Sequence, residues 1–275
     1  MTPLVLLTGA TGFVGRHALQ ALADKPVRLR IVIRPGSEEV LPLPKDAEFV
    51  HSPDLFGESP TWWEQACHGV DAVLHLAWYA EPGEYLQSPK NLDCLAGTLA
   101  LAKGCCNANV SRVVGVGTCF EYDTSVGYLS TQTALKPTSP YAAAKAAAFL
   151  ALSEHFRQAG ISFAWCRLFH LHGDGEDLRR LVPYVRSRLA QGLPVELTSG
   201  HQIRDYMDVR DAAAELVNVL LGQRVGAVNV CSGTGTTVRE LVECIADEHG
   251  RRDLLRFGVR AENFTDPPIV VGIRD

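Results

Sequence analysis

The stretch Pro3-Leu4-Val5-Leu6-Leu7-Thr8-Gly9-Ala10-Thr11-Gly12-Phe13-Val14-Gly15 decides the fold. Its first six residues form a short, unbroken apolar run of the kind a buried parallel strand requires. Three glycines follow at once, and an amphipathic pattern through Ala18, Leu19, Ala21 and Leu22 predicts a helix that ends near Asp24. In such a strand, glycine turn and helix, Gly9 permits the tight turn, Gly12 lets a pyrophosphate approach the backbone, and Gly15 allows close helix-strand packing. The helix N-terminal amides then face the phosphates. The G-x-x-G-x-x-G spacing differs from the G-x-G-x-x-G dinucleotide fingerprint and lacks the lysine-serine/threonine ending of a P-loop. With its flanking strand and helix, it predicts dinucleotide binding by Gly9, Thr11, Gly12, Phe13, Val14 and Gly15.

A second strand, Val27 to Ile33, ends in Arg34-Pro35-Gly36-Ser37. An NAD-specific site places an acid about twenty residues past the glycines for the ribose hydroxyls. Arg34 stands there instead, and its planar donor fork suits a 2'-phosphate, which predicts NADP(H) over NAD(H).

Tyr141 and Lys145 lie one helical turn apart in Tyr141-Ala142-Ala143-Ala144-Lys145, so both side chains share a helix face. The pairing predicts that the ammonium lowers the phenol from its ordinary value of ~10 toward neutrality, which would make Tyr141 an acid/base group.

With these residues, the chain resembles the extended short-chain dehydrogenases/reductases, in particular the NAD-dependent epimerase/dehydratase family that works on nucleotide sugars. The resemblance covers nearly the whole chain. Asp71-Ala72-Val73-Leu74-His75-Leu76-Ala77 matches the end of the family's fourth strand, and Asn91 with Gly97-Thr98 matches the next helix. Val113 to Val116 reads as a fifth strand leading into Gly117-Thr118-Cys119-Phe120-Glu121-Tyr122. Thr118 is then the family's catalytic hydroxyl, and Arg167 to Gly173 resembles the arginine-led loop after the sixth strand, with His170 and His172 where asparagine and tyrosine are usual. Gln202-Ile203-Arg204-Asp205-Tyr206 is similar to the segment whose arginine faces the substrate diphosphate. Asn229 to Gly233 and Thr237 to Leu241 match a later block, whose helix opens on a hydroxyl cap with a glutamate three residues on.

The resemblance implies Thr118, Tyr141 and Lys145 as catalytic residues, with Tyr141 exchanging a proton with the sugar oxygen, Lys145 holding the ribose and tuning the tyrosine, and Thr118 orienting the oxygen. It adds Asp54, Leu55, Leu76, Ala77 and Trp78 to the cofactor site, and Cys119, Phe120, His170, Arg204 and Arg260 to the substrate site. Trp78 and Tyr79 are candidates to line the pocket. The implied fold is α/β, a Rossmann-type doubly wound parallel sheet over residues 1-165 with a mainly substrate-binding lobe over 166-275, segments near 200-210 and 227-233 crossing back. A homodimer through two helices of each subunit, including the Tyr141 helix, is implied as well.

Dehydratases of the family carry an aspartate-glutamate pair directly after the catalytic threonine, because removing water needs a further base and acid. Cys119 and Phe120 stand there, which disfavours dehydration. Relatives that epimerise beside a ketone use a cysteine two residues after the hydroxyl, and Cys119 lies one residue early. Two reactions are left: reduction of a keto sugar, or epimerisation at carbon 4 with a tightly held NAD. Arg34 favours NADPH-dependent reduction of a nucleoside-diphosphate 4-keto-6-deoxy sugar, in deoxysugar or surface-polysaccharide synthesis. A reductase of non-sugar carbonyls and a dinucleotide-sensing protein without catalysis are the other readings, and the presence of all three catalytic residues weighs against the second.

The chain carries a net charge of -5 and a sequence pI near 6.0, without a basic stripe, so nucleic acid is not an expected partner. No apolar stretch approaches the ~20 residues of a membrane span, and no basic segment precedes the N-terminal strand, which predicts a cytoplasmic protein. Eight cysteines without a C-x-x-C pair predict reduced thiols. His-x-His-Gly-Asp at 170-174 has no companion cluster with ligand spacing, so no metal is expected. Pro267-Pro268 is expected to open a connection to a final helix, with the chain stopping short of the usual family length and leaving the far rim of the lobe minimal.

Overall fold

The N-terminal apolar run is β1 (Leu4–Thr8), fully buried at the centre of a seven-stranded parallel sheet. The computed structural model describes residues 2–37, 47–263 and 266–274. On one side of β1 lie β2 (Arg28–Ile33) and then the edge strand β3 (Glu48–His51). On the other lie β4 (Ala72–His75), β5 (Arg112–Thr118), β7 (Ser162–Leu168) and β11 (Gly226–Val230). The strand order reverses between β1 and β4, and open α/β sheets bind their ligands at such a switch, beyond the carboxyl ends of the strands.

Both faces of the sheet are covered, which is why β1, β4 and β5 read as continuous apolar runs. One face packs against α1 (Phe13–Ala23) and α6 (Val209–Leu221), through Ala18, Leu19 and Leu22 and through Ala212, Leu216 and Leu220. The other packs against α2 (Pro60–Ala66), α3 (Lys90–Asn107) and α4 (Pro140–Ala159), with Trp63, Leu101, Cys105, Leu152 and Phe156 buried. Each fully buried large apolar side chain contributes roughly 1.5–3 kcal/mol relative to leaving it in water. The first helix ends where its pattern predicts, with Asp24 as C-cap.

A second, five-stranded sheet forms the lobe over the crevice: β12 (Gly235–Thr237), β10 (Ile203–Asp208), β14 (Ile269–Gly272) and β6 (Tyr128–Leu129) in order, with β8 (His170–His172) also paired to β10. Helices α5 (Leu181–Ala190) and α7 (Val238–Glu248) pack beside it with β9 (Val195–Glu196) and β13 (Leu255–Arg256). Thr237 and Glu240 form the capping box that the sequence spacing predicts for α7. Two expectations are corrected. The boundary at 165 falls inside β7, which stays in the large sheet to Leu168. After Pro267-Pro268 the chain forms the strand β14, not a helix, because the β-branched run Ile269-Val270-Val271 fills the gap between β10 and β6.

All eight cysteines are free thiols. Among the described residues no helix is long and apolar enough to cross a membrane, and no group of three or more His, Cys, Asp and Glu could hold a metal ion.

Candidate active site

The glycine turn is a cradle that side chains would fill. Gly9 has φ +75°, and a Cβ on it would sit 2.7 Å from the Ala77 amide nitrogen at the end of β4. A Cβ on Gly15 would run into the Gly9 carbonyl. Gly12, the N-cap of α1, is exposed, and neither a capping side chain nor an acid in the first turn competes for the helix amides. An anionic pyrophosphate fits this arrangement, with Thr11, Phe13 and Val14 half-buried around it. Leu76 and Ala77 back the cradle as the packing of Gly9 requires.

A buried histidine fixes the two walls. Thr98 Oγ1 donates to the Cys94 carbonyl at 2.7 Å and accepts from His75 Nε2 at 3.1 Å, while Thr8 Oγ1 donates to His75 Nδ1 at 2.8 Å. The Ala77 amide donates to Thr8 Oγ1 at 3.3 Å. Every donor in this chain meets an acceptor only if His75 is neutral, and burial, helped by Lys145, pushes it down to about 3.

Beyond the sheet, Ser139 caps α4 and so presents Tyr141 and Lys145 in its first two turns. Tyr141 lies against Tyr85, ring centroids 4.8 Å apart and edge to face, and against Trp78 at 6.4 Å. The side chain of Thr118, the last residue of β5, is within hydrogen-bonding reach of the Tyr141 phenol and favours its ionised form. Thr118, Tyr141 and Lys145 are thus brought together on the crevice side of β5 and α4.

The expected lowering of the phenol is not what the fold produces. Burial raises Tyr141 well above its ordinary value, with Tyr85, Glu121 and Cys119 adding to the effect. Lys145 is committed elsewhere. Its Nζ donates to the Val116 carbonyl at 2.5 Å and lies 4.0 Å above the Trp78 ring. Burial pushes this ammonium down to about 7, so its own charge is marginal at neutral pH. The physical reason is that desolvation disfavours the charged form of each group and is the largest influence on both.

Thr118 is held by a buried polar network. Glu121, 0% exposed, accepts from the Thr118 amide at 2.8 Å, from Trp165 Nε1 at 3.0 Å and from Arg167 Nε at 2.7 Å. Arg167 also donates to Tyr122 Oη, which donates to Asn229 Oδ1 at 2.7 Å. Gly117 leaves room for this, since a Cβ there would strike Glu121 and the Trp165 indole.

Other candidates lie around this centre with mixed outcomes. Arg34 is exposed at the carboxyl end of β2, without an ion-pair partner among the described residues. Asp54 and Leu55 follow β3, and the Asp54 carboxylate accepts from the Phe56 amide at 3.2 Å. Trp78 donates to Asn91 Oδ1 at 2.8 Å and stacks on Lys145, while Tyr79 donates to Glu84 at 2.6 Å on the outer surface. Phe120 and His170 meet edge to face with centroids 6.0 Å apart, and burial pushes His170 down to about 3.

Two substrate assignments change. Cys119 is 2% exposed, packed with Tyr122, Leu129 and Phe169, and burial pushes its thiol up to about 12, so it offers neither a thiolate nor an accessible contact. Arg204 is 4% exposed and already occupied, paired with Asp266 at 2.6 Å and donating to the Ile203 and Pro268 carbonyls. Arg260 lies 4.6 Å from the Tyr184 ring on α5. The sequence reading missed His75, Tyr85, Glu121 and Trp165 as site-forming residues. Only His75 and Glu121 left a signal, as charged or polar residues inside or beside apolar strand runs.

A family model described as the NAD dependent epimerase/dehydratase family matches residues 5–231. The chain is 23% identical over 98% of its length and 99% of the relative to a dTDP-6-deoxy-L-talose 4-dehydrogenase (NAD(+)) of Aggregatibacter actinomycetemcomitans. It is 32% identical over 90% of its length and 80% of the relative to a GDP-6-deoxy-D-mannose reductase of Pseudomonas aeruginosa. Among solved structures, a UDP-N-acetylglucosamine 4-epimerase from Methanobrevibacter ruminantium in complex with UDP-N-acetylmuramic acid superposes with TM-score 0.87 and 25% identity, covering 100% of this chain and 90% of that one.

Proposed function

The chain belongs to the NAD-dependent epimerase/dehydratase family, and within it we propose an NADPH-dependent reductase of a nucleoside-diphosphate 4-keto-6-deoxy sugar. The observation that carries this reading is Arg34, a guanidinium without an ion-pair partner among the described residues, at the carboxyl end of β2 where an NAD site would hold an acid. Two relatives support the sugar class, since their names describe oxidoreductases of nucleotide 6-deoxy sugars.

The reaction fits the state of the site. A bound reduced nicotinamide supplies a hydride to the carbonyl carbon. Tyr141, held protonated by burial, donates its proton to the carbonyl oxygen as the C=O π bond breaks, so the ketone becomes an alcohol. Thr118 orients that oxygen beside the phenol, and the Lys145 ammonium, beneath Trp78, is placed to hold the cofactor ribose. A neutral phenol is matched to reduction more than to the oxidation that opens an epimerase cycle. Dehydration lacks its acid and base, because Cys119 is buried and Glu121 is consumed by three donors.

Arg204 no longer supports a diphosphate, being committed to Asp266. Leu92 on α3 and Leu150 on α4, both exposed, support a homodimer packed through these helices. The test is to supply NADPH with dTDP- or GDP-4-keto-6-deoxy-hexose. Stoichiometric loss of NADPH absorbance is expected, whereas inversion at carbon 4 without net oxidation of added cofactor would establish an epimerase instead.

A further inference from the structure

The Lys145 ammonium is buried with few partners. It is 3% exposed, and the Val116 carbonyl takes one of its protons at 2.5 Å. The Glu121 carboxylate, whose charge reaches it, is already paired with Arg167 at 2.7 Å. The other titratable groups around it are His75 on β4, Cys94 on α3 and Tyr141 on its own helix. None supplies negative charge, since burial keeps the imidazole, the thiol and the phenol neutral. A buried cation in this situation needs a further partner.

Trp78 fills that role. Its ring lies 4.0 Å from Lys145 Nζ, well inside the ~6 Å range over which an aromatic face attracts a cation, with Trp165 at the edge of that range at 5.7 Å. The indole is fixed at its rim. Its N–H donates to Asn91 Oδ1 at 2.8 Å, and Asn91, fully buried, is itself locked by Nδ2 donating to the Tyr85 and Ser88 carbonyls at 2.6 and 2.9 Å. Phe56 and Tyr141 stand steeply to the ring, at 71° and 80°, each with its centroid 6.4 Å away. A carboxylate in this place would neutralise the ammonium and repel an anionic dinucleotide. The π face stabilises the charge and adds none, so the ammonium stays available to a ligand.

We propose that Trp78 is a positioning residue that acts through Lys145, its indole face keeping the buried ammonium protonated and fixed against the ring. The contact stands apart from the reductase reading above, on which only its value to catalysis rests. Burial brings Lys145 down to about 7, so a small further loss of stabilisation would strip its proton at neutral pH.

The test replaces Trp78 alone by mono- and tetrafluorinated tryptophan, which keep the shape and the indole N–H while draining the ring face of electron density. Lys145 is titrated by NMR on protein labelled at lysine Cε, its signal assigned by its absence in Lys145→Met. The midpoint should fall as fluorine is added, and tetrafluorination should weaken proton binding about three- to tenfold. A midpoint that stays put or rises overturns the proposal. With NADPH and dTDP- or GDP-4-keto-6-deoxy-hexose, the alkaline limb of kcat/KM should move to lower pH by the same interval. An unmoved limb alongside a fallen midpoint would overturn the role in catalysis. If no form of the protein, wild type included, turns over such a substrate, the reductase reading fails and the NMR titration still decides whether the ring holds the charge.

Discussion

Replacing Lys145 by methionine should remove activity and yet leave a more stable protein, by a margin that shrinks as pH rises. Lys145 is 3% exposed, and burial brings it from 10.5 down to about 7. The unfolded chain keeps that proton up to ~10.4, whereas the native protein releases it near 7. Between those values the unfolded state binds more protons, so this residue makes wild-type stability rise with pH across the window. At pH 7 the burden on folding is at most roughly 4–5 kcal/mol, at about 1.4 kcal/mol for each tenfold loss of proton affinity. Methionine preserves the apolar stem but leaves the Val116 carbonyl without its donor, which gives back about 1–3 kcal/mol. A net gain of about 2 kcal/mol at pH 7 is expected. Packing contributions cancel when the two proteins are compared at two pH values. From pH 7 to pH 9 the advantage of Lys145→Met should fall by about 2 kcal/mol, since only the wild-type protein responds through this group. Urea-unfolding midpoints of both proteins at pH 7 and pH 9 measure the change. A stability difference that stays constant between the two pH values would refute the reasoning.

Tyr141→Phe should lower kcat by about 10²–10⁴ while leaving NADPH affinity within about twofold, as read from steady-state rates and fluorescence titration. Arg34→Asp should lower the NADPH to NADH preference, in kcat/KM, by about tenfold or more, and an unchanged ratio would show that the 2'-phosphate is not held there. Glu121→Gln leaves Arg167 buried without its charge partner and should destabilise the protein by about 3–5 kcal/mol, measured by chemical denaturation.

The sheet and the glycine turn were legible because local rules govern them. An apolar run that must be buried on both faces, a glycine triplet in which a Cβ would strike the Gly9 carbonyl, and a hydroxyl-capped α7 leave their marks within a dozen residues. The Tyr141-Lys145 spacing was legible for the same reason, but its electrostatics were not. Helical spacing fixes which face two side chains share and says nothing about how much solvent reaches them, and solvent exclusion is what raised the phenol and lowered the ammonium. Arg204 failed for a related cause. Its partner Asp266 lies 62 residues downstream, in a segment whose approach depends on β14 pairing with β10. No local pattern around Gln202 to Tyr206 reports that pairing, and the expected helix after Pro268 obscured it.

The same long-range pairings explain why Thr118 is placed by residues that carry no chemistry themselves. Its amide is fixed by Glu121, Glu121 by Arg167 on β7, and Arg167 through Tyr122 to Asn229 on β11. Asn229 then donates to the Leu129 and Ile273 carbonyls, which belong to the second sheet and its edge. One buried network therefore runs from the Thr118 amide through three strands of the large sheet to the second sheet. Because the members are linked in series, with only Arg167 Nη2 left without a partner, displacing the lobe would expose unpaired polar groups at several points at once, each costing about 1–3 kcal/mol. The placement of Thr118 and the seating of the lobe are thus one cooperative unit, and sequence distance from Thr118 does not measure which residues position it.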